Sequence, residues 1–166
     1  MLEMPRHEID AFLAKARVGH LGLARGGDAY VVPLFFRFDG KDTLYFHSHP
    51  GAKDEYIRAT KEACFTVTRA AGDDEWRSVE LFGAVTKIIS DPEKLAAMDA
   101  LTAVPFPPEW GFTPDGMPRQ SGARSYFWKL TIRRASGRTS EPRRESVRRG
   151  IEAIAPGGLE ADFATD

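Results

Sequence analysis

Residues 30–38, YVVPLFFRF, are apolar or aromatic at every position except Arg37. A surface helix or a half-exposed strand would interleave polar residues at period 3.6 or 2, and a membrane span needs roughly 20 apolar residues. A short run without alternation is instead a strand covered on both faces, like a barrel wall packed on its core inside and on a partner outside. Pro33 in its middle implies a bulge or an unpaired edge position, because proline has no N–H to give a ladder.

The flanking segments extend this reading. VGHLGLA (18–24), the run around Pro33 and TLYFHS (43–48) are separated by turns at Arg25-Gly26-Gly27-Asp28 and Asp39-Gly40, which makes a three-strand meander. ACFTVTR (63–69) and WRSVELFGAVTKII (76–89) add two strands, and Gly83 marks the bend that barrel strands need. SYFWKLTIR (125–133) places Tyr126, Trp128, Leu130 and Ile132 on one face and closes the sheet. Helical spacing of Ile9, Phe12, Leu13 and Ala16 predicts a helix between Pro5 and Arg17, with a second in DEYIRATKE and a third in EKLAAMDAL. Ser90, Pro92 and Glu93 supply cap, first-turn proline and capping-box acid for the last. The expectation is a mostly-β fold, a six-stranded antiparallel split β-barrel with flanking helices.

With 166 residues, 42% of them hydrophobic, one domain can bury a core without staples. We expect it to span 1–136, interrupted by a Pro-rich loop or lid at 105–124, with 137–166 as a polar, Arg-rich tail or arm. The 23 basic and 24 acidic side chains leave a net charge of -1 and no global pull toward nucleic acid or anionic membrane. Arginines cluster in the tail, but they are paired with acids and lack interleaved aromatics, which speaks for a solvated or dimer-contact arm and against a nucleic-acid partner. Cys64 is the only cysteine, so no intrachain disulfide forms; its apolar neighbours predict a buried thiol and a reducing compartment. The opening MLEMPRHEID lacks an apolar leader core, and the expected location is cytoplasmic, with no membrane contact.

No Rossmann fingerprint, Walker motif, GxSxG elbow or HExxH occurs. His47 and His49, two apart, would share a strand face but have no third ligand, so no metal is expected. His20 reads as a core or interface histidine, and His7 as helix surface.

In order and separation, YVVPLFFRF, YFHSHPGAK and RSVELFG resemble the pyridoxamine 5'-phosphate oxidase-like FMN-binding split barrels, especially the nitroimidazole-resistance branch, over roughly Met1 to Arg134. The resemblance implies FMN held non-covalently at the interface of a homodimer. The loop after the third strand places the Ser48 hydroxyl, a glycine that permits close backbone approach and Lys53 together as a phosphate cradle. The proline-broken strand Val32-Pro33-Leu34-Phe35 would offer backbone groups to the flavin ring. The resemblance further implies that His47 lies near flavin or phosphate, that Ser78 and Val79 come from the second subunit, and that Trp128 lies near the ring. No catalytic acid or base is nominated.

One departure stands out: relatives often carry arginine directly before the phosphate lysine, where this chain has Ala52. Arg37, Arg58 and Arg77 are the candidate substitutes. The activity implied is that of an FMN-dependent oxidoreductase using a nicotinamide donor on a small molecule, with a deazaflavin- or haem-binding barrel, or a non-enzymatic protein using the Arg-rich tail, as alternatives. Nothing in the sequence supplies a second phosphate site for pyridoxamine phosphate itself.

Overall fold

The computed structural model describes residues 1–70, 75–103 and 126–140. The expectations for the lid at 105–124 and for the tail beyond Ser140 lie outside the described residues. Along the chain run β1 (Leu2–Glu3), α1 (Arg6–Lys15), β2 (Val18–Arg25), β3 (Asp28–Phe38), β4 (Thr43–Ser48), α2 (Ala52–Ala59), β5 (Glu62–Ala70), β6 (Trp76–Lys87), α3 (Asp91–Thr102) and β7 (Tyr126–Thr139). All six expected strands are present, and the two-residue β1 is added as a seventh.

Every pairing is antiparallel, in the order β1-β7-β4-β3-β2-β5-β6, and β6 also pairs with β7, which closes the ring. Closure leaves the inner faces nowhere to go but against one another. Phe36, Phe46, Phe65, Leu21, Leu44, Leu81, Val85 and Leu130 are all fully buried there, with Phe36 edge-on to Phe65 at 5.1 Å. From α1, Ile9, Phe12 and Leu13 join this core, and from α2, Ile57 does.

Gly83 behaves as the sequence predicts. The β6–β7 register slips between Phe82 and Gly83, and a Cβ there would overlap the carbonyl oxygen of Thr131 and sit 2.9 Å from its carbon. Only a bare backbone lets the strands approach so closely at the bend.

Several expectations are corrected. The last strand runs past the expected end at Arg133 to Thr139, where Gly137 packs under Met4 and Ile9 and its carbonyl accepts from the Met4 N–H at 2.9 Å. Ser90 sits at the N-cap of α3 without making a side-chain cap bond. Cys64 is half-buried rather than core, and of the two readings of His20 the core one falls, since it is exposed in the single chain; Leu21 and Phe65, both fully buried, fix the inward phase and turn their neighbours out. On the outer face of β3, Val31 is 65% exposed and Pro33 is exposed beside it.

Candidate functional site

Pro33 pairs with His20 in an unbroken β2–β3 register, so it forms no bulge. The β3–β4 ladder, by contrast, covers only Phe36 to Phe38. From Asp28 to Leu34 the side of β3 away from β2 is therefore a sheet edge among the described residues, the second of the two places where proline is tolerated. Val32, Leu34 and Phe35 are half-buried along this stretch.

At the end of β4 the chain leaves the sheet and turns into α2. Ser48 is half-buried there, and its Oγ is shut off from solvent with no hydrogen-bond partner. Buried hydroxyls are seldom left so, since stranding one costs on the order of 1–3 kcal/mol. Lys53, only 5% exposed, donates from Nζ to the carbonyl of His49 and lies 3.4 Å from Asp54 Oδ1. Asp54 Oδ2 accepts from the Gly51 N–H at 3.0 Å and so closes the first turn of α2. The loop thus holds one buried cation paired with its own carboxylate.

His47 stacks at a tilt on Phe127, with ring centres 5.3 Å apart, and meets His49 edge-on at 5.9 Å. Burial, reinforced by the second imidazole, lowers its pKa from 6.5 to about 4. At neutral pH it is an uncharged donor and acceptor. Among the described residues no group of three metal-ligating side chains forms.

Trp128 stands opposite Phe46, 6% exposed, with its Nε1 buried and unpartnered. It lines a cavity of about 670 Å³ that shares Pro50 and Asp54 with the loop. Val79, with 0% exposure, points into the core, so only its backbone can meet a ligand. Ser78 is half-buried and shares a hydrogen bond with Thr68 at 3.2 Å. Along β6 it is far from the loop: Lys87 pairs with Trp128, and Ser78 lies nine residues earlier, about 30 Å at strand rise. Within one chain His47 and Phe127 face one side of the barrel wall, Ser48, Tyr126 and Trp128 the other, and Ser78 and Val79 lie at the opposite end of β6.

Of the arginines weighed against Ala52, Arg58 comes nearest, donating from Nε to the Asp54 carbonyl at 3.2 Å and lining the same cavity. Arg37 is buried, its pKa lowered to about 10 by burial and by Arg17. Arg77 lines a separate cavity of about 790 Å³ between α1 and the β5–β6 hairpin, with Lys15, Arg17 and Arg69. Sequence reasoning missed Asp54, although an acid at the third position of α2 is a capping signature that was there to be read.

Among the described residues no helix is long and apolar enough to cross a membrane. A sequence profile described as pyridoxamine 5'-phosphate oxidase matches residues 5–139. An uncharacterized protein of Rhizobium meliloti (strain 1021) is 28% identical over 80 residues, which are 48% of this chain and 52% of that protein, so the match spans about half the relative's length. Among solved structures, a FAD-binding protein of Mesorhizobium loti superposes with TM-score 0.69 at 25% identity, covering 85% of this chain and 97% of that one. A candidate 5-nitroimidazole antibiotic resistance protein of Bacteroides thetaiotaomicron gives TM-score 0.63 at 22% identity, covering 83% and 86%. The fold is the split barrel expected from the strand pattern.

Proposed function

The chain belongs to the pyridoxamine 5'-phosphate oxidase family, and from that premise we propose that it is a flavin-binding oxidoreductase that works as a cytoplasmic homodimer. The observation that carries the proposal is the Ser48 hydroxyl, buried without a partner on the loop that also holds Lys53. It is a polar group built in and left for something else to satisfy. A phosphate ester supplies the acceptor that Ser48 lacks and an anion for the Lys53 ammonium. The similar Mesorhizobium loti protein is named as FAD-binding, which supports a flavin.

FMN, the form implied by the sequence resemblance, contains the phosphate and ring that these residues address. Ser48, Lys53 and the loop amides hold the phosphate, while the free edge of β3 from Val32 to Leu34 gives backbone groups to the ring. His47, uncharged at neutral pH, offers a hydrogen bond without adding a cation. A bound flavin supplies hydride-transfer chemistry, with a nicotinamide nucleotide as donor to a small substrate. The chain's part is to orient the ring and exclude water, and no side chain is assigned a proton-transfer role.

Two features support a homodimer. Ser78 and Val79 lie about 30 Å along β6 from Trp128, so their part in the same site requires a second copy. The outer face of β3, with Val31 65% exposed, offers an apolar surface for that copy.

An absorbance spectrum of the purified protein tests the reading, followed by denaturation and chromatography of any released chromophore. A flavin absorbance and released flavin are expected. A Soret band, a deazaflavin, or no uptake of added flavin would overturn it.

A further inference from the structure

Basic side chains converge on the cavity of about 790 Å³ between α1 and the β5–β6 hairpin. Lys15 and Arg17 reach it from the C-terminal end of α1, and Arg69 and Arg77 from the hairpin. Arg69 and Arg77 stand directly opposite each other across β5 and β6. By alternation they share the face of Val67 and Val79, both buried, so the pair continues the inward side of the sheet toward the hairpin turn. Like charges directly opposite on a sheet repel, and a hairpin carries such a pair at a cost in stability.

Among the described residues none of these four charges is answered by an acid. Lys15, Arg69 and Arg77 have no side-chain hydrogen-bond or ion-pair partner there, and the Arg17 guanidinium donates only to the carbonyls of Ala14 and Ala16, at 3.3 and 3.1 Å. Glu8 and Glu75 line the cavity without pairing to any of them, which leaves four cations against two acids. Arg17 also acts on the buried Arg37, whose pKa burial and then Arg17 lower to about 10, so positive charge accumulates on this side of the barrel. The rest of the lining is largely apolar: Phe12 and Val67 are buried, Val18 is 38% exposed and Trp76 adds a half-buried aromatic face.

We propose that this cavity binds an aromatic dicarboxylate. The flat ring covers the apolar lining beside Trp76, one carboxylate meets the Arg69–Arg77 pair, and the other meets Lys15 and Arg17. A guanidinium presents a planar fork that matches a carboxylate two hydrogen bonds at a time, and an anion between Arg69 and Arg77 turns their repulsion into two attractions. Two negative charges on the ligand match the excess of cations over acids in the lining. The volume of about 790 Å³ falls within the range of roughly 300–1,000 Å³ usual for small-molecule sites. A nucleic-acid backbone fits less well, because the surface is concave and Glu8 and Glu75 would repel its phosphates. The site is separate from the flavin cradle: it takes the Arg77 end of β6, whereas the cavity beside the cradle takes the Lys87 end.

Calorimetric titration of the full chain with terephthalate tests the assignment, first on protein stripped of any flavin and then with FMN added. Benzoate and terephthalamide serve as the singly charged and neutral probes, and a short DNA duplex as a competitor. Terephthalate should bind saturably with the same affinity in both preparations, benzoate should bind several-fold more weakly, and terephthalamide should not bind. Arg69→Gln and Lys15→Gln, both at exposed positions, should each weaken terephthalate about tenfold, the worth of one charge-assisted hydrogen bond, with unchanged melting curves. No saturable binding, or binding that neither variant weakens, overturns the inference. So does a terephthalamide affinity equal to that of terephthalate, which would leave the cations unused. Displacement by FMN would assign the cavity to the flavin, and displacement by the duplex would assign its cations to nucleic acid; either overturns the inference, and neither depends on whether the Ser48–Lys53 cradle takes a flavin.

Discussion

Lys53 and Asp54, adjacent in sequence, are paired in space, with Nζ 3.4 Å from Oδ1 and both side chains about nine-tenths buried. Neighbours on a helix ordinarily diverge. Here the carboxylate is held by the Gly51 N–H and the ammonium folds back onto the His49 carbonyl, so the loop brings the charges together.

That pair makes a stability prediction. Lys53→Met strands a buried carboxylate and should cost on the order of 3 kcal/mol. Adding Asp54→Asn should recover most of the loss, because no isolated charge remains and the amide oxygen still accepts from Gly51. Denaturant titration of both variants measures the coupling, and strictly additive losses would contradict it. Flavin affinity should drop about tenfold or more in both, since each lacks the cation.

His47 sets a pH dependence. Its pKa is about 4 in the folded chain and about 6.5 unfolded, so between these values the unfolded state binds a proton that the folded state does not. Stability is therefore level above the window and falls as pH drops through it. With allowance for partial exposure, the loss is on the order of 1–2 kcal/mol. His47→Gln should flatten the difference in denaturation midpoint between pH 7.5 and pH 5.

Gly83→Ala tests the bend. The added methyl collides with backbone at Thr131, which cannot rotate away as a side chain would. A loss of about 2 kcal/mol or more is expected in thermal or chemical unfolding. Gly26→Ala, at φ 57 in an open turn with nothing within 4 Å, should cost less, about 1 kcal/mol.

Val31→Glu tests the second copy. It places a charge on an exposed position of the outer β3 face and leaves the barrel interior untouched. Light scattering should show a dimer become a monomer with an unchanged melting profile at the chain's own core. A variant that stays dimeric would put the interface elsewhere.

Much of the barrel was legible because strand alternation is a local signal. Trp128, Leu130 and Ile132 face inward as the spacing predicted, and Gly83 falls at the bend. Misreadings came where a neighbour decided the phase. Cys64 looked buried among apolar residues, but Phe65 takes the inward position and turns it out. Gly137 looked like tail until Met4 and Ile9 closed over it.

Elements and their order were legible from the residues alone, because period, turn chemistry and proline placement act within a few residues. The residues also marked the Ser48–Lys53 loop and the family. Tertiary structure decided what local rules cannot reach: the closing pair of β6 with β7, the free edge beside Pro33, and the distance that parts Ser78 from Trp128. Each of these depends on residues far apart in sequence, and only packing sets which of them meet.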